Sequence, residues 1–261
     1  MSSSVPGYTF SRRVPPLIPF EGEDMVYVGG KARYAKDILR VVLAGSDRSR
    51  PYVEPFAGGF NTITRVTGPR WANDNHRYLI AMFQALQAGW VPPRIISEEF
   101  YIDVRDNRDR YSDPVVGWVG FAATYSGKWF GGYARGKAAN GTPRDYVGER
   151  FRNIMKQVPA LAGMRITHGD YSSMAIQPGS LVYCDPPYAN SQGYAGAGAF
   201  DSTAFYAWAE DLVRAGSVVY VSEYSAPDHW IDAWSRRVHS TLDQDTGSKQ
   251  ETERLYRVVV A

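Results

Sequence analysis

The sequence predicts a doubly wound α/β sheet that closes in an antiparallel hairpin, and three observations carry that prediction. Seven candidate strands begin after Arg50, Pro69, Gly163, Gly179, Gly216, Ser235 and Glu253. Helical spacing fills the intervals between the first five, apart from one long basic region, as a mostly parallel sheet requires. The strand Leu181-Val182-Tyr183-Cys184 runs directly into Asp185-Pro186-Pro187-Tyr188. Its apolar run suits a strand buried on both faces. Two prolines cannot continue the ladder, so the strand ends at Asp185.

The bulk properties set bounds on this prediction. A chain of 261 residues holds one large core, or a core with a small inserted subdomain. Hydrophobic content of 44% is that of a water-soluble globular protein, and no apolar run approaches a membrane span. The first residues, Met1-Ser2-Ser3-Ser4-Val5-Pro6, lack the basic and apolar blocks of a signal peptide, so a cytoplasmic protein is expected. The single cysteine, Cys184, permits no internal disulfide and no multi-cysteine metal site, and no metal is expected. The net charge of +2 is too small to indicate a nucleic-acid partner by itself.

From the N-terminus, Pro15 to Phe20 reads as extended. Val28-Gly29-Gly30-Lys31 then leads into a helix over 32–43, with Ile38, Val41 and Val42 on one face. Glycines and a lysine at a helix start suit a carboxylate or phosphate, although such runs are often plain turns. Pro51 to Gly59 reads as a strand and a tight glycine turn, followed by a helix over 61–66. Arg70 to Asp74 is the second strand. Asp74 stands close to the ~20 residues past a glycine turn at which an acid binds ribose hydroxyls, or it caps the next helix. Leu79, Ile80, Phe83 and Leu86 mark that helix.

From Val91 to Arg165 the alternation of strand and helix stops. Between Tyr125 and Arg165, eight basic residues (Lys128, Arg135, Lys137, Arg144, Arg150, Arg152, Lys156 and Arg165) face only Asp145 and Glu149, a local surplus of six. Mixed with Tyr125, Trp129, Phe130 and Tyr133, this surplus suits a DNA backbone; the alternative is a solvated basic face with core aromatics. Met164 to Tyr171 reads as a short strand ending at the pair Asp170-Tyr171. After Tyr188, the glycine- and alanine-rich run 189–199 reads as a loop over the site. Asp201 caps a helix carrying Phe205, Trp208, Ala209 and Leu212 on one face. A strand over 217–222 and two closing strands, 236–242 and 254–260, finish the chain, joined by a polar loop over 243–253.

A prolyl turn at the carboxyl edge of a parallel strand fixes an acceptor beside an aromatic face. That pairing grips a flat base bearing an amino group, whose hydrogens go to Asp185 and the Pro186 carbonyl while the ring stacks on Tyr188. Asp-Pro-Pro-Tyr after such a strand resembles the catalytic motif of S-adenosylmethionine-dependent amino-group methyltransferases. Val53 to Gly59, Gly29-Gly30-Lys31 and the ends of the chain resemble the Dam-type N6-adenine DNA methyltransferases. Phe60 departs from the pattern, in which another small residue is usual, and His76 stands where asparagine is usual.

The resemblance implies a Rossmann-like methyltransferase fold, with residues 1–90 and 163–261 catalytic and 91–162 an inserted target-recognition region. It implies S-adenosylmethionine as methyl donor, held by Lys31, Glu54, Phe56, Gly58, Asp74, Asp170, Tyr171 and Asp185. Asp185, Pro186 and Tyr188 become the catalytic set, and double-stranded DNA the partner of a monomer, contacted through Lys128, Arg135 and Lys137. The same chemistry on cytosine or RNA adenine, or an inactive DNA-binding relative, remains the alternative.

Overall fold

The computed structural model describes residues 25–27, 30–44, 46, 49–187, 200–239 and 250–261. In chain order these form α1 (Ala35–Val42), β1 (Tyr52–Glu54), β2 (Arg70–Asp74), α2 (Arg77–Gln87), α3 (Glu98–Asp106), α4 (Asp113–Ala122), α5 (Tyr146–Gln157), β3 (Arg165–His168), β4 (Leu181–Cys184), α6 (Ser202–Arg214), β5 (Val218–Glu223), β6 (Ile231–His239) and β7 (Gln250–Arg257). The strands make one seven-stranded sheet in the order β3-β2-β1-β4-β5-β7-β6. β1 to β5 pair in parallel, and β7 runs antiparallel to both β5 and β6. This is the doubly wound sheet with a closing hairpin that the sequence predicts, consistent with a Rossmann-like methyltransferase fold.

Alternation along the strands divides the core between the two faces of the sheet. Tyr52, Leu181, Tyr183 and Tyr220 point into one cluster, with Ile38, Leu79, Phe83 and Trp118. Val53, Val182, Cys184, Val219 and Val221 point into the other, with Phe205 and Ala209 of α6. β1 neighbours β2 on one side and β4 on the other, so the chain reverses its winding there. The carboxyl ends of β1 and β4 flank the resulting crevice, where open α/β sheets bind ligands.

The structure departs from the sequence reading in four places. The helix expected over 61–66 is a single 3-10 turn, Ile63–Arg65. Thr64 Oγ1 donates to the Phe60 carbonyl (2.7 Å), which the Thr64 amide reaches only at 3.5 Å, and Arg65 Nε donates to that of Asn61 (2.9 Å), so side chains compete for carbonyls that an α-helix would use. The β3–β4 connection likewise holds only a 3-10 turn, Tyr171–Ser173, so α-helices do not separate all of the first five strands. The closing strands lie earlier than expected, and residues 240–249 of their connection lie outside the described residues. The interval 91–165, where the alternation stops, carries the helices α3, α4 and α5, and α4 belongs to the main core through Val116, Trp118, Val119 and Phe121. Gly117 lets it approach α2 closely: an added Cβ would come within 2.2 Å of the Tyr78 carbonyl oxygen.

Candidate active site

The first wall of the crevice is the turn after β1. Gly58 takes a left-handed φ of 47°, and its amide donates to Asp74 Oδ2 at 2.9 Å. The other carboxylate oxygen of Asp74 accepts from the His76 amide (2.9 Å). Asp74 therefore ties the end of β2 to the glycine turn. It does not cap α2; His76 does, its Nδ1 accepting from the Leu79 amide at 3.2 Å. The imidazole thus supplies the acceptor that a cap needs. Burial against Trp129 and Phe121 pushes its pKa down to about 4, so the ring stays neutral.

Glu54, expected among the donor-binding residues, is 1% exposed. Its two oxygens accept from Tyr52 Oη (2.7 Å) and Thr62 Oγ1 (2.8 Å). It braces the turn from beneath. Burial pushes its pKa up to about 8, with the Asp185 carboxylate adding to the rise and the Thr62 and Tyr52 hydrogen bonds opposing it. The carboxyl is therefore mostly neutral at pH 7.

Phe60, the departure from the family pattern, also has a left-handed backbone, φ 59°. Its ring is fully buried and stacked on Phe83, with centroids 3.8 Å apart and planes 7° from parallel. Core packing holds it in a conformation that non-glycine residues rarely adopt. Tyr27 covers the outer side of the same turn: a Cβ added at Gly59 would lie 2.9 Å from the Tyr27 Cβ. Those glycines make room for a neighbouring segment of this chain as well as for a ligand.

Phe56 and Tyr171 form the floor beside the turn. Their rings lie 5.1 Å apart, and both pack on Phe200 and Phe205. Asp170, next to Tyr171, is exposed and accepts from the Ser172 amide at 2.9 Å. Asn73 joins this side of the site together, donating to the carbonyls of Pro55 (3.2 Å) and Gly169 (2.8 Å). The sequence reading passed over Asn73; a buried amide at a strand end beside Asp74 was the available signal.

Asp185 stands across the crevice, directly past β4. Its Oδ1 lies 3.3 Å from Lys31 Nζ, and that ammonium lies 3.1 Å from Glu253 Oε1. The Lys31 side chain is 7% exposed, Glu253 6% and Asp185 20%. Burial pushes the Asp185 carboxyl up to about 6; the Lys31 ammonium opposes that rise and Glu253 adds to it. For Lys31, burial works against the charge, yet the Asp185 and Glu253 carboxylates outweigh it and the net direction is upward. The ammonium is therefore held between two acids, one of which the sequence reading had placed in a loop. Pro186 is buried behind Asp185, whereas Tyr188 and the expected covering loop over 189–199 lie outside the described residues.

Residues 27–113 match the family model for the D12 class N6 adenine-specific DNA methyltransferase. On this stretch, about a third of its length, the chain is similar to the D12 class methyltransferases. The match supports the Dam-type family and its activity, methylation of DNA adenine by an enzyme. No curated protein matches the chain. Lys31, Glu54, Phe56, Gly58 and Asp74 fall inside the matched methyltransferase stretch; Asp170, Tyr171 and Asp185 join them through the fold. Among the described residues, no group of three His, Cys, Asp or Glu side chains is placed to hold a metal ion. No helix there is long and apolar enough to cross a membrane.

The basic region mixes exposed cations with paired ones. Lys128 and Lys137 are exposed, but Arg135 is paired with Glu98, which lies outside the window counted in the sequence. Arg144 pairs with Glu149 at 2.7 Å, and the Arg165 guanidinium covers the Trp71 ring at 3.8 Å. Of the four aromatics, Trp129 packs on His76 and Tyr78, Phe130 on Tyr101, and Tyr133 donates from its hydroxyl to the Ile96 carbonyl at 2.8 Å. These three buttress the helices, and Tyr125 alone of the four is strongly exposed, at 63%.

Proposed function

We propose that this methyltransferase moves a methyl group from S-adenosylmethionine to the N6 amino group of a flipped adenine at a defined site in double-stranded DNA, acting as a monomer. The observation that carries the reading is the placement of Asp185 at the switch point of the sheet, with one oxygen turned to Lys31. Lys31 lies on its Oδ1, which assigns Oδ2 as the oxygen that accepts from the target amine. The site chemistry suits the donor. With Glu54 neutral, Lys31, Asp185 and Glu253 leave one net negative charge facing a sulfonium. Phe56 and Tyr171 supply apolar ring surface for an adenine, and Asp170 an acceptor beside it. Asp74 retains lone pairs for ribose hydroxyls beyond those used by Gly58 and His76.

Bound S-adenosylmethionine supplies an electrophilic methyl group whose leaving sulfur takes the bonding pair. An aromatic amine is a poor nucleophile because its lone pair is delocalised into the ring. Asp185 and the Pro186 carbonyl accept the two amino hydrogens, which favours a tetrahedral nitrogen and frees that pair. The carboxylate then stabilises the positive charge that develops on nitrogen, and the surplus N–H proton leaves to solvent once the methyl group is in place. Tyr188 offers a stacking platform for the flipped base. A protonated Asp185 has lost this function. Transfer of labelled methyl to unmodified duplex DNA should therefore fall as pH drops through about 6, the value to which the carboxyl is raised. An acid limb near the ordinary aspartate value would remove Asp185 from that role.

Lys128, Arg135 and Lys137 are the proposed DNA contacts. Replacing Lys128 or Lys137 with alanine should reduce the log–log salt slope of DNA binding by about 0.9 each, the release expected per phosphate. Arg135→Ala should change it less, since Glu98 already neutralises that charge. Salt-dependent titration of a duplex decides this. Unchanged slopes in both lysine variants would make this face merely solvated.

A further inference from the structure

We propose that Glu253 on β7 is a positioning residue for methyl transfer: it draws the Lys31 ammonium toward itself, so that Asp185 remains the stronger acceptor and keeps an open oxygen for the target amine. This rests on the assignment of Asp185 as the amine acceptor. The geometry is a three-membered chain, Glu253 Oε1 to Lys31 Nζ at 3.1 Å and Lys31 Nζ to Asp185 Oδ1 at 3.3 Å. Lys31 and Glu253 are buried, so their attraction is weakly screened by solvent. Glu253 is two residues before Leu255, and both are buried, which puts a carboxylate on the core-facing side of a strand. Such an acid is costly to bury unless it is paired. Lys31 supplies such a pairing, while the guanidinium of the cross-strand neighbour Arg236 contacts Asp37 at 3.2 Å and the Tyr34 ring.

An ammonium committed to Asp185 alone would make that carboxylate a weaker acceptor and would occupy the side of it that faces the crevice. Sharing the ammonium with a second acid prevents this. Among the described residues, the other groups that act electrostatically on this carboxylate or feel it are Glu54 from β1 and Tyr183 and Cys184 from β4. Burial raises the proton affinity of all three, which keeps them neutral and leaves Lys31 and Glu253 as the charged partners.

The test is a titration of Asp185 in the full chain without donor, by carbon NMR of protein labelled at the aspartate carboxyls and assigned with Asp185→Asn. In Glu253→Gln the Asp185 midpoint should move down from its wild-type value, and in Lys31→Gln it should move up. Single-turnover transfer by Glu253→Gln should slow by about tenfold. Its affinity for S-adenosylhomocysteine should stay within about twofold of wild type. Glu253→Asp, which keeps the charge, should restore part of the rate. An unmoved midpoint, or an undiminished transfer rate, in folded Glu253→Gln overturns the proposal, because a purely structural ion pair would alter melting without slowing transfer. Should Glu253→Gln fail to fold, Glu253→Asp takes its place: the longer gap to Lys31 should lower the midpoint less, and an unmoved midpoint again overturns the proposal. Loss of transfer in Asp185→Ala with no response to Glu253 variants would leave the acceptor assignment standing and remove only Glu253.

Discussion

Asp185→Ala should abolish methyl transfer in a protein that still folds. Removing one preorganised stabiliser of developing charge typically slows the chemical step by ~10²–10³-fold. Here the same group also orients the amine, so the loss should lie at or beyond the upper end. The fold should survive because Asp185 lies at the sheet edge, past the last residue of β4, and fills no core volume. Lys31 keeps Glu253 as a partner when Asp185 is gone. Single-turnover transfer of labelled methyl, with S-adenosylhomocysteine titration as a control for an intact site, measures both halves. Near-normal transfer by a folded Asp185→Ala protein would remove Asp185 from the chemistry.

Phe60→Ala should cost about 3–5 kcal/mol of stability, the usual loss for a fully buried aromatic truncated to a methyl. The ring is stacked on Phe83 with no exposure, so little relaxation can refill the space. Phe60→Gly separates packing from backbone strain. Both variants lose the ring, but glycine tolerates φ 59° without the roughly 1–2 kcal/mol that an L-residue incurs there. Denaturant unfolding should therefore find Phe60→Gly about as stable as Phe60→Ala or more so, although glycine in an exposed regular element is ordinarily the worse residue. A glycine variant clearly less stable than the alanine one would mean that the left-handed backbone carries no strain. Affinity for S-adenosylhomocysteine should fall in both, because Phe60 anchors the turn that presents Gly58 and Gly59.

The sheet was legible because strands buried on both faces leave unmixed apolar runs, and Leu181 to Cys184 is the clearest of them. The stop at Asp185 was equally plain, since prolines act on the backbone regardless of tertiary context. The hairpin ends were harder to place. Gln250 to Glu253 is polar throughout, and a polar stretch resembles a loop until the partner strand and the buried lysine that it serves are known. For that reason Glu253 escaped notice, although it completes the charge arrangement around Asp185. The basic region misled in a related way. A count of charges in a sequence window cannot include Glu98, which reaches Arg135 from another helix. Aromatic composition likewise does not reveal that Trp129 is packed against the helix cap His76. Glu54 shows the same limit from the opposite side: its type and position fit a ligand contact, and only the partners Tyr52 and Thr62 reveal a brace.

Unmethylated duplex DNA incubated with the purified protein and isotopically labelled S-adenosylmethionine, then digested to nucleosides for mass spectrometry, bears most directly on the proposed reaction. The label should appear in N6-methyldeoxyadenosine and in no other nucleoside. Label in deoxycytidine, preferential labelling of adenosine in RNA, or no label from a protein that binds S-adenosylhomocysteine would contradict it.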